Sequence, residues 1–370
     1  MYARWATQVP DAIDRCNWRP VQVLRLSRIG PPHFRTISVN MPSVSWKLRL
    51  LSGVLAVVGS GSLVGASEVG RRPTLESLAS IRPATVAVRE PVHAEPGPEL
   101  LAEVGMVGQR DVTGARFPSG LTIHGGSRRR TILFTFDDGP SKRTTPHLLD
   151  LLDQLELKAL FFVTSESFGN GNPWEREHAE IVRDIVRRGH MIGNHTETHR
   201  QLPLLNNAEI EAELTRSGEK IAWAAGSYPR LIRPPGGAMS KRVEWLLAQN
   251  GYTSVMWALY PADLEENTPE GVVRAFFRVL DRREQDTGDR GGIVLMHDTK
   301  RHSLEALPRI VEGLERRNCK LLERGEELYD LVDDLGYFIP GYELDESPEE
   351  RQAALRRDTA QRCATIALGD

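Results

Sequence analysis

The sequence predicts an α/β fold with parallel strands, curled into a closed or partly closed barrel. Three observations carry this expectation. About seven short apolar runs alternate with amphipathic helical stretches between residues 130 and 340. The runs are too short and too evenly apolar to be helices or half-exposed strands. Polar and charged residues gather directly after the runs, where α/β barrels place their chemistry.

Taken in order, residues 131–136 form the first strand candidate, apolar on both faces. Leu148, Leu149, Leu151, Leu152 and Leu155 follow with helical spacing, then a second strand run at 159–163. Ile181 and Ile185 mark a helix that Gly189 can close as a C-terminal cap. Further helices are expected at 208–224, 240–250, 269–283, 303–317 and 326–335, with strands at 191–193, 231–233, 252–257, 293–296 and 319–322. Ser240, Thr268 and Ser303 stand where N-caps are wanted, and Pro269 suits a first helical position.

The flanks differ in character. Residues 1–40, rich in Arg and Pro, read as an extension ahead of a second start at Met41. Residues 41–66 run from Lys47 and Arg49 through an apolar stretch to small residues ending at Ala66, the order of a secretory signal peptide. An uncleaved membrane anchor is the alternative, although Gly53, Gly59 and Gly61 interrupt the apolar stretch. Residues 67–129 read as a linker or irregular region, 130–340 as the folded domain, and 341–370 as a charged tail, either a solvated helix or disordered. The 370 residues are 40% hydrophobic and 26% charged with a net charge of -3, which argues against a nucleic-acid partner. Cys319 and Cys363 lack the spacing of a zinc site, and spacing alone leaves their pairing open.

Five clusters at expected strand ends carry the chemistry. Asp137-Asp138-Gly139-Pro140 puts two acids beside a turn that can swing both toward one pocket. Two buried acids need a cation, either a metal or an arginine. His195 and His199 lie four apart, and on a helical turn they would share one face. Asp138, His195 and His199 together form an N/N/O ligand set that leaves an open position for water. Arg233 precedes the glycine-rich turn at Pro235 and Gly236, Asp263 ends a later strand region, and His297 ends a strongly apolar one.

These motifs, TFDDGP, HTETH, RPPGG, PAD and LMHDT, resemble those of the polysaccharide deacetylases, the NodB-like group of carbohydrate esterase family 4. The resemblance spans residues 130–340 and implies a distorted (β/α)7 barrel and an enzyme that removes N-acetyl groups from an acetylated amino-sugar polymer or oligomer. It implies that Asp138, His195 and His199 hold a divalent metal, most commonly Zn2+, with Co2+ or another ion as alternatives. It implies that Asp137 is the general base, paired with Arg233, and that His297 is the general acid, tuned by Asp263. Leu295, Pro235 and Gly236 would border the acetyl and sugar. The chain departs from the pattern at Gly236 and Leu264, where aromatics are usual, and at Tyr260, where an acid is common. Aromatic platforms stack on sugar rings, so these departures bear on substrate and leave the ligands, base and acid untouched. Two other readings stand beside this one: hydrolysis of a different amide or ester by the same machinery, and a non-catalytic carbohydrate-binding or scaffold protein.

Overall fold

The computed structural model describes residues 111–169 and 171–367. The expected segments at 1–40 and 41–66, and the linker up to residue 110, lie outside the described residues.

The fold is organised around the strand Thr131–Asp137 (β3), buried along its whole length. Its alternate residues face two different cores, the period-two consequence of a pleated strand. Ile132, Phe134 and Phe136 pack outward against helices with Phe161, Val163, Ile192, Val294 and Met296. Leu133 packs inward with Leu160, Phe162, Met191, Leu231, Val255 and Ile293, which line the barrel interior. A strand covered on both faces has no reason to alternate with polar residues, which explains the continuous apolar runs.

Around β3 stand Thr122–Ile123 (β1), Gly126–Ser127 (β2), Leu160–Val163 (β4), Met191–Asn194 (β5), Leu231–Ile232 (β6), Thr253–Val255 (β7), Gly291–His297 (β8) and Asp330–Leu331 (β9). The sheet order is β1-β7-β6-β5-β4-β3-β8-β2, with β9 added beside β3. All pairings are parallel except β2 with β8. The sheet curls until its outer strands approach each other: Leu259, just past β7, bridges Val294 of β8. Residues 122–127 close the seam, with Met256 N–H donating to Ile123 O and Ile293 N–H to Gly125 O, each at 2.8 Å. The fold therefore begins ahead of residue 130: the irregular, turn-rich segment before it contains the two short strands that knit β7 to β8.

Helices Thr145–Gln154 (α1), Pro173–Arg187 (α2), Asn207–Ala225 (α3), Lys241–Gln249 (α4), Pro269–Thr287 (α5) and Arg301–Glu323 (α6) alternate with the strands. Ser240 and Thr268 cap α4 and α5 through their hydroxyls, and Gly189 takes φ +78° just beyond α2, as expected. Ser303 is no cap. It lies inside α6, buried, with its hydroxyl turned toward Asp263.

Two expected elements are corrected. Residues 319–322 form the last turns of the 23-residue α6, not a strand. Residues 326–335 are not a helix: Asp330 N–H donates to Arg130 O at 2.7 Å and Val332 N–H to Ile132 O at 2.9 Å, adding β9 to β3. The tail is ordered as the helix Pro348–Ala367 (α7). Cys363 on α7 is disulfide-bonded to Cys319 on α6, with Cα atoms 5.8 Å apart. Arg351 adds a two-point ion pair to Asp330, at 2.8 and 2.7 Å. Among the described residues, no helix is long and apolar enough to cross a membrane.

Candidate active site

Strand parity aims the polar residues at the strand ends into the barrel mouth. On β3, Leu133, Thr135 and Asp137 share the inner face, and Asp137 is the Cα partner of His297 on β8. The acid and the imidazole therefore enter the pocket side by side.

Arg233, fully buried after β6, anchors Asp137. Its Nη1 donates to Asp137 Oδ1 and to Thr135 Oγ1, each at 2.7 Å, and its Nε donates to Val255 O at 2.9 Å. The guanidinium lies over the Phe162 ring at 4.3 Å, with the Trp257 ring at 5.5 Å. Gly193 makes this stacking feasible, since a Cβ there would sit 2.5 Å from the Phe162 ring. Asp137 Oδ2 remains turned toward the histidines, 3.6 Å from His195 Nε2.

Asp138 follows at φ 73°, in the left-handed region, which redirects its side chain from that of its neighbour. Its Oδ1 lies 3.4 Å from His195 Nε2 and 3.2 Å from His199 Nε2. Ligand atoms of Asp138, His195 and His199 all fall within 4.8 Å of one another. The donor chemistry fits a cation. His195 Nδ1 is engaged by Arg233 O at 2.6 Å, which leaves the Nε2 lone pair facing the cluster. Asp138 Oδ1 is buried with no hydrogen-bond partner among the described residues. Burial pushes the Asp138 carboxyl up, but the His195 and His199 imidazoles outweigh it and hold the group well below the usual carboxylate range. Such a carboxylate is built to face positive charge.

The segment carrying the two histidines is not the helical turn expected. It is an irregular loop in which Thr196 and His199 take φ of 70° and 58°. The loop after β4 leans on it: Ser165 N–H donates to Thr196 O at 3.2 Å and Glu166 N–H to Glu197 O at 2.9 Å.

Across the pocket, Asp263 is fully buried and holds His297. Its Oδ1 meets His297 Nδ1 at 2.9 Å, while its Oδ2 accepts from the His297 backbone N–H at 2.8 Å and from Ser303 Oγ at 2.6 Å. Burial disfavours the charged imidazole, but Asp263, with Asp137 and Asp138 beyond it, raises His297 above the ordinary histidine range. Next in sequence, Asp298 is fully buried and accepts from Thr145 Oγ1 at 2.5 Å. Thr145 Oγ1 in turn accepts from Ser141 N–H at 2.7 Å, so the loop after Asp138 is tied to the end of β8. Burial pushes Asp298 up to about 7.

Leu295 is buried on β8, with its N–H donating to Leu259 O at 2.8 Å. Pro235 and Gly236 form a tight turn after β6, with Gly236 exposed at φ 63°. Leu264 is exposed beside the His297 end of the mouth, and Tyr260 donates to Glu265 at 2.6 Å. Trp257 was passed over in the sequence because it ends an apolar run. It fills the space beside Gly237, where a Cβ would lie 2.7 Å from its ring. Asn194, Glu213, Ser303, Thr145 and Asp298 were also missed; each acts on the site through backbone or through another side chain.

The geometry is that of a cation-ready acid–base centre at the carboxyl mouth of an α/β barrel. The polysaccharide deacetylase family model matches residues 124–255, the stretch that holds the first three motifs. The chain is 31% identical over 218 residues to a chitin deacetylase of Arthroderma benhamiae, covering 58% of this chain and 56% of that protein. It is 29% identical over 203 residues to a peptidoglycan-N-acetylglucosamine deacetylase of Bacillus cereus, covering 54% of this chain and 68% of the relative. The structure of the chitin deacetylase from Colletotrichum lindemuthianum shares the fold, with a TM-score of 0.51 at 24% identity over 63% of this chain and 95% of that one. The chain thus spans little more than half the length of the first of these relatives.

Proposed function

We propose that this protein hydrolyses the N-acetyl group of an acetylated amino-sugar polymer or oligomer, releasing acetate and leaving a free amine. One observation carries the reading: the Asp138–His195–His199 cluster is flanked by two buried pairs, Asp137–Arg233 at 2.7 Å and His297–Asp263 at 2.9 Å. The pairing of an oriented acceptor and an oriented donor around a cation site is what amide hydrolysis needs.

A divalent cation on Asp138, His195 and His199, with Zn2+ the best match to two imidazoles and a carboxylate, would supply a water of lowered pKa and polarise the amide carbonyl. Asp137 is fixed through Oδ1 by Arg233, so Oδ2 can accept a proton from the attacking water. His297, with Nδ1 held by Asp263, presents its other nitrogen to protonate the departing amine. A positioned base and acid each contribute on the order of 10²–10⁴ in rate. Leu295 would border the acetyl methyl, and the turn at Pro235 and Gly236 would border the sugar.

The exposed Gly236 and Leu264 favour a second reading, the same machinery on another amide or ester. Acetate release from N-acetylglucosamine oligomers, compared with simple acetate esters of equal size, separates the two. Release from the oligomers supports the proposal, and turnover of the esters alone overturns it. The Cys319–Cys363 disulfide further supports export to an oxidising compartment, as the sequence of residues 41–66 suggests. Fractionation of the tagged full chain tests this, and a wholly cytosolic location would refute it.

A further inference from the structure

The loop bearing His195 and His199 is held in a conformation that its own residues disfavour. Thr196 and His199 both sit in the left-handed region, at φ 70° and 58°. For residues other than glycine this conformation is strained and persists only where the surroundings impose it. Two local contacts help: Thr196 N–H donates to Asn194 Oδ1 at 2.7 Å, and His199 N–H donates to Thr196 Oγ1 at 3.1 Å. Neither touches the apex, residues 197 and 198.

The apex is held by Glu213, which projects from the middle of α3 and is buried. Its Oε2 accepts from the Glu197 N–H at 3.0 Å and from the Thr198 N–H at 2.8 Å. Its Oε1 accepts from Thr198 Oγ1 at 2.5 Å. A buried carboxylate is usually explained by a cation beside it. Among the described residues no Lys or Arg is paired with Glu213; the nearby Arg216 and Lys220 pair instead with Glu197. All three bonds that satisfy Glu213 come from the histidine loop.

We infer that Glu213 is a positioning residue that sets the His195–His199 spacing before any cation arrives. The inference rests on the metal reading of Asp138, His195 and His199. Its chemistry is a carboxylate taking two successive backbone N–H groups and a hydroxyl, so the loop arrives pre-shaped and the cation meets both imidazoles already aimed. Outer contacts of this kind typically change metal affinity 10–100-fold when removed.

The test measures Zn2+ affinity of the metal-free full chain by calorimetry, with backbone amide exchange at residues 197 and 198. Glu213→Ala is expected to bind Zn2+ 10–100-fold more weakly than wild type and to exchange both amides faster. Glu213→Gln keeps an oxygen for both N–H groups and an NH2 that can donate to the Thr198 hydroxyl, so it is expected nearer wild type on both readouts. Wild-type affinity in a folded Glu213→Ala variant overturns the inference. So does an equal loss in both variants, which would trace the effect to charge. If Glu213→Ala does not fold, fast exchange of these amides in the wild type or a full loss in Glu213→Gln overturns it. Failure of the wild type to bind Zn2+ sinks the metal reading instead, and amide exchange still judges the clamp.

Discussion

Two adjacent acids do different things because the backbone turns between them. Asp137 keeps the inward direction of β3 and is claimed by Arg233, while Asp138 turns at φ 73° toward the histidines. Asp137→Asn is therefore expected to lower acetate release by about 10²–10⁴-fold while leaving Zn2+ affinity nearly intact. His297 likewise depends on a buried partner. Asp263 raises its pKa, and the acid role requires the protonated form, so activity should fall as pH rises through that pKa. Removing the charge in Asp263→Asn lowers the His297 pKa, so the alkaline limb of kcat/KM should move toward acid. A limb that stays in place would separate His297 from the acid role. Ion pairs and strand-end residues of this kind were legible in the sequence, because each stands beside a recognisable strand. Glu213 and Ser303 were not, because both lie inside helices at positions with the spacing of ordinary core or cap residues.

At the scale of elements, the long apolar strands and amphipathic helices could be read directly, and the two misreadings have a common cause. Leu328, Tyr329, Val332 and Leu335 are buried and spaced as a helix face would be. Tertiary pairing decides otherwise: Asn318 grips Tyr329, donating to its carbonyl at 2.9 Å and accepting from its N–H at 2.7 Å, and β3 takes the next residues as β9. Residues 319–322 are a short apolar run that periodicity cannot separate from a strand. The disulfide closes a 44-residue separation between α6 and α7. Cys363→Ser should cost about 2–4 kcal/mol in chemical denaturation, with α7 the first element to exchange its amides. Gly139 makes a different point, because a Cβ there would lie 2.0 Å from Asp298 Oδ2. Gly139→Ala should destabilise by about 1–3 kcal/mol through overpacking and should lower activity by shifting the loop that carries Asp138. Unchanged melting and turnover would show that this junction yields freely.

For the whole molecule, the curl of the sheet brings into one mouth residues from position 137 to 297, delivered at or beyond the ends of β3, β5, β6, β7 and β8. The seam segment at 122–127 was not legible as strand, since its pairs are two residues long and its neighbours are turns. It helps close the curled sheet between β7 and β8, beside the direct bridge from Leu259 to Val294. The departures at Gly236 and Leu264 leave the substrate surface less aromatic than the family pattern, with Trp257 set deeper beside Gly237. The separation of the cation ligands from the proton acceptor lies at the centre of the proposed function. It is tested most directly by measuring Zn2+ binding and acetate release from N-acetylglucosamine oligomers together, with and without chelator, in wild type, Asp137→Asn and Asp138→Asn. Chelator-sensitive release is expected in wild type, binding without release in Asp137→Asn, and loss of both in Asp138→Asn. Release that persists in Asp137→Asn, or that ignores the chelator, would contradict it.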